Sequence, residues 1–116
     1  MAKRIPPTEA WLLPFLRILS DEKPHKRGEI LNTIADQMGL TEAQRQERFD
    51  LKGNFVIVNR IAWCDVEFCK AKFAIKDDSN KDNLQHSFHI TPLGLKELKT
   101  NSDKITSAYL RTFWKV

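Results

Sequence analysis

Two cysteines, Cys64 and Cys69, are too few for the disulfide framework of a small secreted domain in a chain of 116 residues. No apolar run is long enough to cross a bilayer, so no membrane association is expected. The opening Met-Ala-Lys-Arg-Ile-Pro-Pro lacks the long apolar stretch of a secretory signal, and a cytoplasmic protein is expected. The chain has only four glycines, and they build no Gly-rich phosphate loop. Internal repeats and low-complexity linkers are missing as well.

Catalytic and metal-binding constellations are equally scarce. "DVEFCK" at 65–70 and "ELK" at 97–99 echo the carboxylate-plus-lysine sets of metal-dependent nucleases. Both fall on predicted helices, with no strand-borne Asp to complete a magnesium site. Cys64, Cys69, His86 and His89 invite a zinc reading, but residues five apart on a helix diverge and residues 86 and 89 fall on opposite faces of a strand. No Ser-His-Asp or Cys-His set is apparent. The expectation is a chain with no enzymatic activity of its own, no metal and no cofactor.

What is present is an ordinary globular composition, enough for one modest core, with a net charge of +4. The excess is local. Residues 51 to 76 carry Lys52, Arg60, Lys70, Lys72 and Lys76 against Asp65 and Glu67, whereas residues 77 to 91 carry Asp77, Asp78 and Asp82 against Lys81. A basic zone of this kind suits an anionic partner such as DNA, and it also suits plain solvation of a surface.

The apolar pattern divides the chain into elements. Thr8 is a candidate cap for a helix carrying Trp11, Leu12, Phe15, Leu16 and Leu19, with Pro14 inside it and a kink expected there. A second helix spans about Arg27 to Met38, and Gly39 is placed to end it. Thr41 caps a short charged helix, "EAQRQER". The stretch "FVIVNRIAWCDVEFCKAKF" at 55–73 is too long for a strand and breaks alternation. Read as a helix from about Asn54, it sets Ile57, Ile61, Cys64 and Phe68 on one face and leaves Asn59, Arg60, Trp63, Glu67 and Lys70 largely off it. Ala74–Lys76 and "HSFHIT" then read as two strands of a hairpin around a polar tip, followed by a short helix from Pro92 and a last one from Ser102.

The order matches a winged helix-turn-helix: an α+β, mostly helical fold with a β-hairpin wing and an extra C-terminal helix. Four segments, "LLPFLRILSDEKPHKRGEI", "IADQMGLTEAQRQERF", "NRIAWCDVEFCKA" and "ITPLGLKEL", give the chain a resemblance to the N-terminal domain of Mrr-type restriction proteins over about residues 8 to 99. Where the family has Ala-Gly-Leu after the long helix, this chain has Ala71-Lys72-Phe73; the run 55–58 is also unusually apolar, and the wing tip is acidic. The resemblance implies a DNA-recognition module at 8–99, a lead-in at 1–7 and a C-terminal extension at 100–116. In the family such a module precedes a nuclease domain that cuts modified DNA.

Two readings of function follow. In the first, double-stranded DNA, modified or not, is met by Lys52 and Asn54 at the long helix's N-terminus, Asn59 and Arg60 on that helix, Lys26 and Arg27 at the start of the second helix, and Lys76 on the wing. Asn59 and Arg60 could instead anchor their helix within the domain. In the second, the module docks on a protein partner through the apolar residues near 55–58 or through the C-terminal helix; exposure of Phe55 to Val58 would favour it. The C-terminal segment carries Ile105, Tyr109, Leu110, Phe113 and Trp114 on one broad side. That side must be covered, either by the chain's own first helix or by the same helix of a second copy in a homodimer.

Overall fold

The first helix, α1, spans Thr8–Ile18 and passes through Pro14 without ending. Proline removes one backbone hydrogen bond there, but Trp11, Leu12, Phe15 and Leu16 are fully buried on the same turns. Each buried Leu or Phe supplies about 1.5–3 kcal/mol of transfer free energy, which offsets the loss. The cap is Pro7 rather than Thr8. The computed structural model describes residues 5–49, 53–77, 79, 81–101 and 103–114.

A 3₁₀ turn, Leu19–Asp21, leads to β1, His25–Lys26, a strand too short to carry a readable alternation. His25 Nδ1 pairs with Glu29 at 2.6 Å and its Nε2 with Asp21 at 2.8 Å, which fixes this corner. α2 spans Arg27–Gln37 and ends as Gly39 adopts φ +66°. There the Leu40 N–H donates to Ala35 O at 3.0 Å and the Gly39 N–H to Asp36 O at 3.1 Å, closing the helix in a Schellman motif. α3, Glu42–Arg45, starts in a capping box between Thr41 and Gln44, as its sequence suggests. It is shorter than expected.

α4 spans Val56–Lys70, with Ile57, Ile61, Cys64 and Phe68 all buried as its spacing requires. Asp65 and Glu67 are buried too, against the expectation that Glu67 faces outward. β2, Ala74–Asp77, and β3, Ser87–Ile90, form the hairpin, and the sheet order is β1-β3-β2, all antiparallel. The order α1, β1, α2, α3, α4, β2, β3 with this sheet is consistent with a winged-helix-like arrangement. α5, Pro92–Thr100, and α6, Ser107–Arg111, complete the described chain. Phe15 links the layers: its ring lies 5.4 Å from Phe68 of α4 and 5.6 Å from Phe88 of β3.

The exit of α4 explains two motifs at once. Lys72 takes φ +67°, the left-handed conformation a glycine holds at no steric cost. The Phe73 N–H donates to Phe68 O at 2.9 Å and the Lys72 N–H to Cys69 O at 3.2 Å, the same closure as at Gly39. Thr91 then docks on it. Its Oγ1 donates to Lys72 O at 2.6 Å and accepts from the Gly94 N–H at 3.0 Å, while its own N–H donates to Phe73 O at 2.9 Å. A Cβ at Gly94 would stand 2.2 Å from Phe73 O. The Thr-x-x-Gly sequence therefore clamps α5 onto the end of α4.

Lys72→Gly should raise the free energy of unfolding by roughly 0.5–1 kcal/mol, the relief of left-handed strain less the added chain entropy. Gly94→Ala should lower it by about 1–3 kcal/mol or more, because backbone must move. Urea denaturation of the two variants measures both; equal stabilities would show that the turn is not under this constraint.

Candidate nucleic-acid interface

α4 has two flanks, and the structure gives them different neighbours. On the first, α4 meets α2 and the hairpin. Arg27 is the first residue of α2, and its Nη2 donates to Asp65 Oδ2 of α4. Both side chains are buried, at 8% and 4% exposure. The guanidinium also sits 5.4 Å from the centre of the Phe88 ring, and the Arg27 N–H donates to His86 O at 2.8 Å. Burial pushes the Asp65 carboxyl above its usual pKa, and the charge and hydrogen bond of Arg27 pull it part of the way back. Arg27 is thus an interior cation that ties α2, α4 and β3 together. It is not the exposed backbone clamp its position at a helix start suggests.

Lys26 and Lys76 are both exposed. Lys76 lies opposite Phe88 and so shares that residue's inward face of the sheet, close enough to Asp65 for their charges to interact. Lys26 lies opposite Ser87, on the other face. The two lysines are not brought together. The exposed Lys81 stands near the hairpin tip, followed by a 3₁₀ turn, Asn83–Gln85, which packs against α2 so closely that a Cβ on Gly28 would lie 3.3 Å from Leu84 O.

The apolar run at the start of α4 is mostly consumed by the core. Val56 and Ile57 are buried, and Phe55 and Val58 are half-buried against the core. Arg48 covers the Phe55 ring, its guanidinium carbon 4.3 Å from the ring centre, and the Val56 N–H donates to Glu47 O at 2.9 Å. Asn54 is exposed just before the helix; Lys52 lies outside the described residues. Leu31, Arg45, Phe55, Val58 and Leu84 line a groove of about 340 Å³ between α2, α3, the first turn of α4 and the hairpin.

On the second flank α4 meets the lead-in and the C-terminal segment. Arg60 Nε donates to Pro6 O at 3.1 Å, and Trp11 Nε1 donates to the same oxygen at 3.0 Å. Arg60 and Asn59 touch each other, Nη1 to Oδ1, at 3.5 Å. Arg60 therefore anchors the lead-in, one of the two roles its sequence left open. Asn59, Arg60, Trp63, Glu67 and Arg111 line a cleft of about 400 Å³. Sequence alone did not reveal this cleft, because Arg111 is distant in the chain; the only local signal was a tryptophan off the inner face of α4.

The C-terminal segment folds back on its own chain. Ile105 and Leu110 are buried in the core, and Tyr109, Phe113 and Trp114 are half-buried against it. The Phe113 ring lies 5.0 Å from Phe73 and 5.3 Å from Tyr109, and Trp114 sits under Lys70 at 4.7 Å. The tyrosine hydroxyl donates to Glu97 of α5. The helix is shorter than expected: it starts after Thr106, whose Oγ1 accepts from the Tyr109 N–H at 3.1 Å, and Ser102, the expected cap, lies outside the described residues. Covering this apolar side requires no second copy.

Cys64 is buried and Cys69 half-buried; burial pushes the Cys69 thiol up to about 11 and Cys64 well above its usual value, so neither is a reactive thiolate. Among the described residues no group of His, Cys, Asp or Glu could hold a metal ion, and no helix is long and apolar enough to cross a membrane.

The family model of the Mrr N-terminal domain matches residues 9–100. No curated protein and no solved structure matches the chain.

Arg27→Met should destabilise the fold by about 3–5 kcal/mol, because it leaves the Asp65 carboxyl buried without its cation. Adding Asp65→Leu should return much of that loss. Thermal unfolding of the wild type, the single variant and the double variant measures the coupling; a single variant as stable as the wild type would contradict the interior role of Arg27.

Proposed function

Because the chain belongs to the family of the N-terminal domain of Mrr-type restriction proteins, we propose that it is a DNA-binding winged-helix module, non-catalytic by itself, that recognises duplex DNA for a nuclease domain. The observation that carries this reading is the placement of α4 beside the β2–β3 hairpin in a sheet of order β1-β3-β2. In winged helices that pairing offers the helix to the major groove and the hairpin to the backbone or minor groove. Around it lie exposed Asn54, Arg48, Lys76 and Lys81. The half-buried Ala62 and Val66 lie outside the core cluster and carry small apolar side chains, which suit contact with the methyl group of thymine or of a methylated base.

The protein-docking alternative has less support. It would use an apolar patch at 55–58 or the C-terminal helix; Val56 and Ile57 are at 4% and 5% exposure, and Ile105 and Leu110 of the C-terminal segment are buried in the chain's own core. With Arg27 in the interior, the exposed cations that this reading offers to the DNA backbone are Lys76 of β2 and Arg48, which lies on the Phe55 ring at the start of α4.

Gel shifts on unmodified and methylated duplexes at two salt concentrations test the proposal. Affinity should fall steeply with salt, and Lys76→Ala should reduce the slope of log K against log salt by about 1, the counterion released at one phosphate. Duplex binding that is undetectable even at low salt would contradict it.

A further inference from the structure

Trp63 presents a ring at 54% exposure that the core does not use. It borders the cleft on the second flank of α4 together with Arg60 and Arg111. Arg60 lies three residues before Trp63 on α4, so the two are neighbours on its surface, and α6 brings in Arg111. Both guanidinium groups are held in place. Arg60 Nε donates to Pro6 O at 3.1 Å, and its Nη1 reaches Asn59 Oδ1 only at 3.5 Å. Arg111 Nη2 stands 3.8 Å from Glu67 Oε1, beyond hydrogen-bond length, and its side chain is 63% exposed. Fixing the two groups beforehand lowers the entropy lost when an anion binds them.

Charge and shape narrow the ligand. Glu67 is 4% exposed, so it acts as the buried counter-charge that holds Arg111 and not as a ligand contact. Two guanidinium charges against that one carboxylate leave a single positive charge. A phosphodiester carries one negative charge and matches it. The phosphate of a phosphotyrosine peptide approaches two and would be left partly unmatched. A phosphodiester next to an aromatic platform suits an unpaired nucleic-acid strand, whose base is free to stack on Trp63.

We infer that the cleft is a site for an unpaired nucleotide of a DNA strand: the base stacks on Trp63, and the phosphodiester meets Arg60 and Arg111. Every base has a π face, so the site selects no particular base. The inference goes beyond duplex recognition, since an unpaired strand can occupy the cleft whether or not the hairpin side of α4 holds a duplex.

Fluorescence anisotropy of labelled oligothymidylate, titrated with the full chain, tests it. Binding that weakens as salt rises is expected. An oligomer of the same length with every base removed should bind about tenfold more weakly, the loss of one stacked base. Trp63→Ala, at an exposed position where folding is not at stake, should abolish that difference, and Trp63→Phe should keep most of it. Arg111→Ala should weaken binding of both oligomers alike. Equal affinity of the wild type for the two oligomers would overturn the inference, because the binding would then be general attraction of a polyanion to a basic chain. A phosphotyrosine peptide that binds more tightly than oligothymidylate, and loses that binding on Trp63→Ala, would overturn it in favour of a peptide partner. Oligothymidylate that fails to bind up to millimolar concentration would overturn it as well.

Discussion

The winged-helix arrangement turns on a buried ion pair. Arg27 opens α2, Asp65 lies midway along α4, and the guanidinium rests near the Phe88 ring of β3. Burial makes the charged form of Asp65 costly, which its raised pKa records. Such a pair adds little net stability over apolar residues of the same shape, but an unpaired member is heavily penalised. Its effect is therefore positional: arrangements of α2, α4 and the hairpin that separate the two groups are excluded. The Arg27 N–H on His86 O adds a second tie between the same elements.

With that register fixed, the two flanks of α4 acquire separate chemistry. The hairpin side carries the exposed Lys76 and the groove at Val58 and Leu84. The other side is closed by the lead-in through the Pro6 carbonyl and by the C-terminal segment through Ile105 and Leu110. Arg60 and Asn59 belong to this second side, whereas Val58, the residue before Asn59, lines the groove of the first. A helix steps about 100° per residue, so residues adjacent in sequence serve different surfaces.

Much of the fold was legible because apolar spacing is a strong signal. Ile57, Ile61, Cys64 and Phe68 announced α4, and Gly39 announced the end of α2. The turn at Lys72 was obscured because a lysine occupies a conformation that glycine usually marks; only the hydrogen bonds from Thr91 and Phe73 reveal it. β1 was invisible because two residues carry no period, and its existence depends on pairing with β3. The candidate site was less legible than the fold. Arg27 is a charge at a helix start, where solvent exposure is the ordinary expectation, and the Asp65 that buries it lies 38 residues away. Glu67 was placed outward by periodicity and is buried because α6 returns over it, a contact that no local pattern encodes.

The most direct test of the account is a map of backbone amide shifts on titrating the full chain with a short duplex. Contact through α4 and the hairpin predicts the largest changes at Asn54 to Val58, at Ala62 and Val66, and at Lys76 and Leu84. Changes confined to α1 and α5, with the first two turns of α4 and the hairpin unmoved, would contradict it.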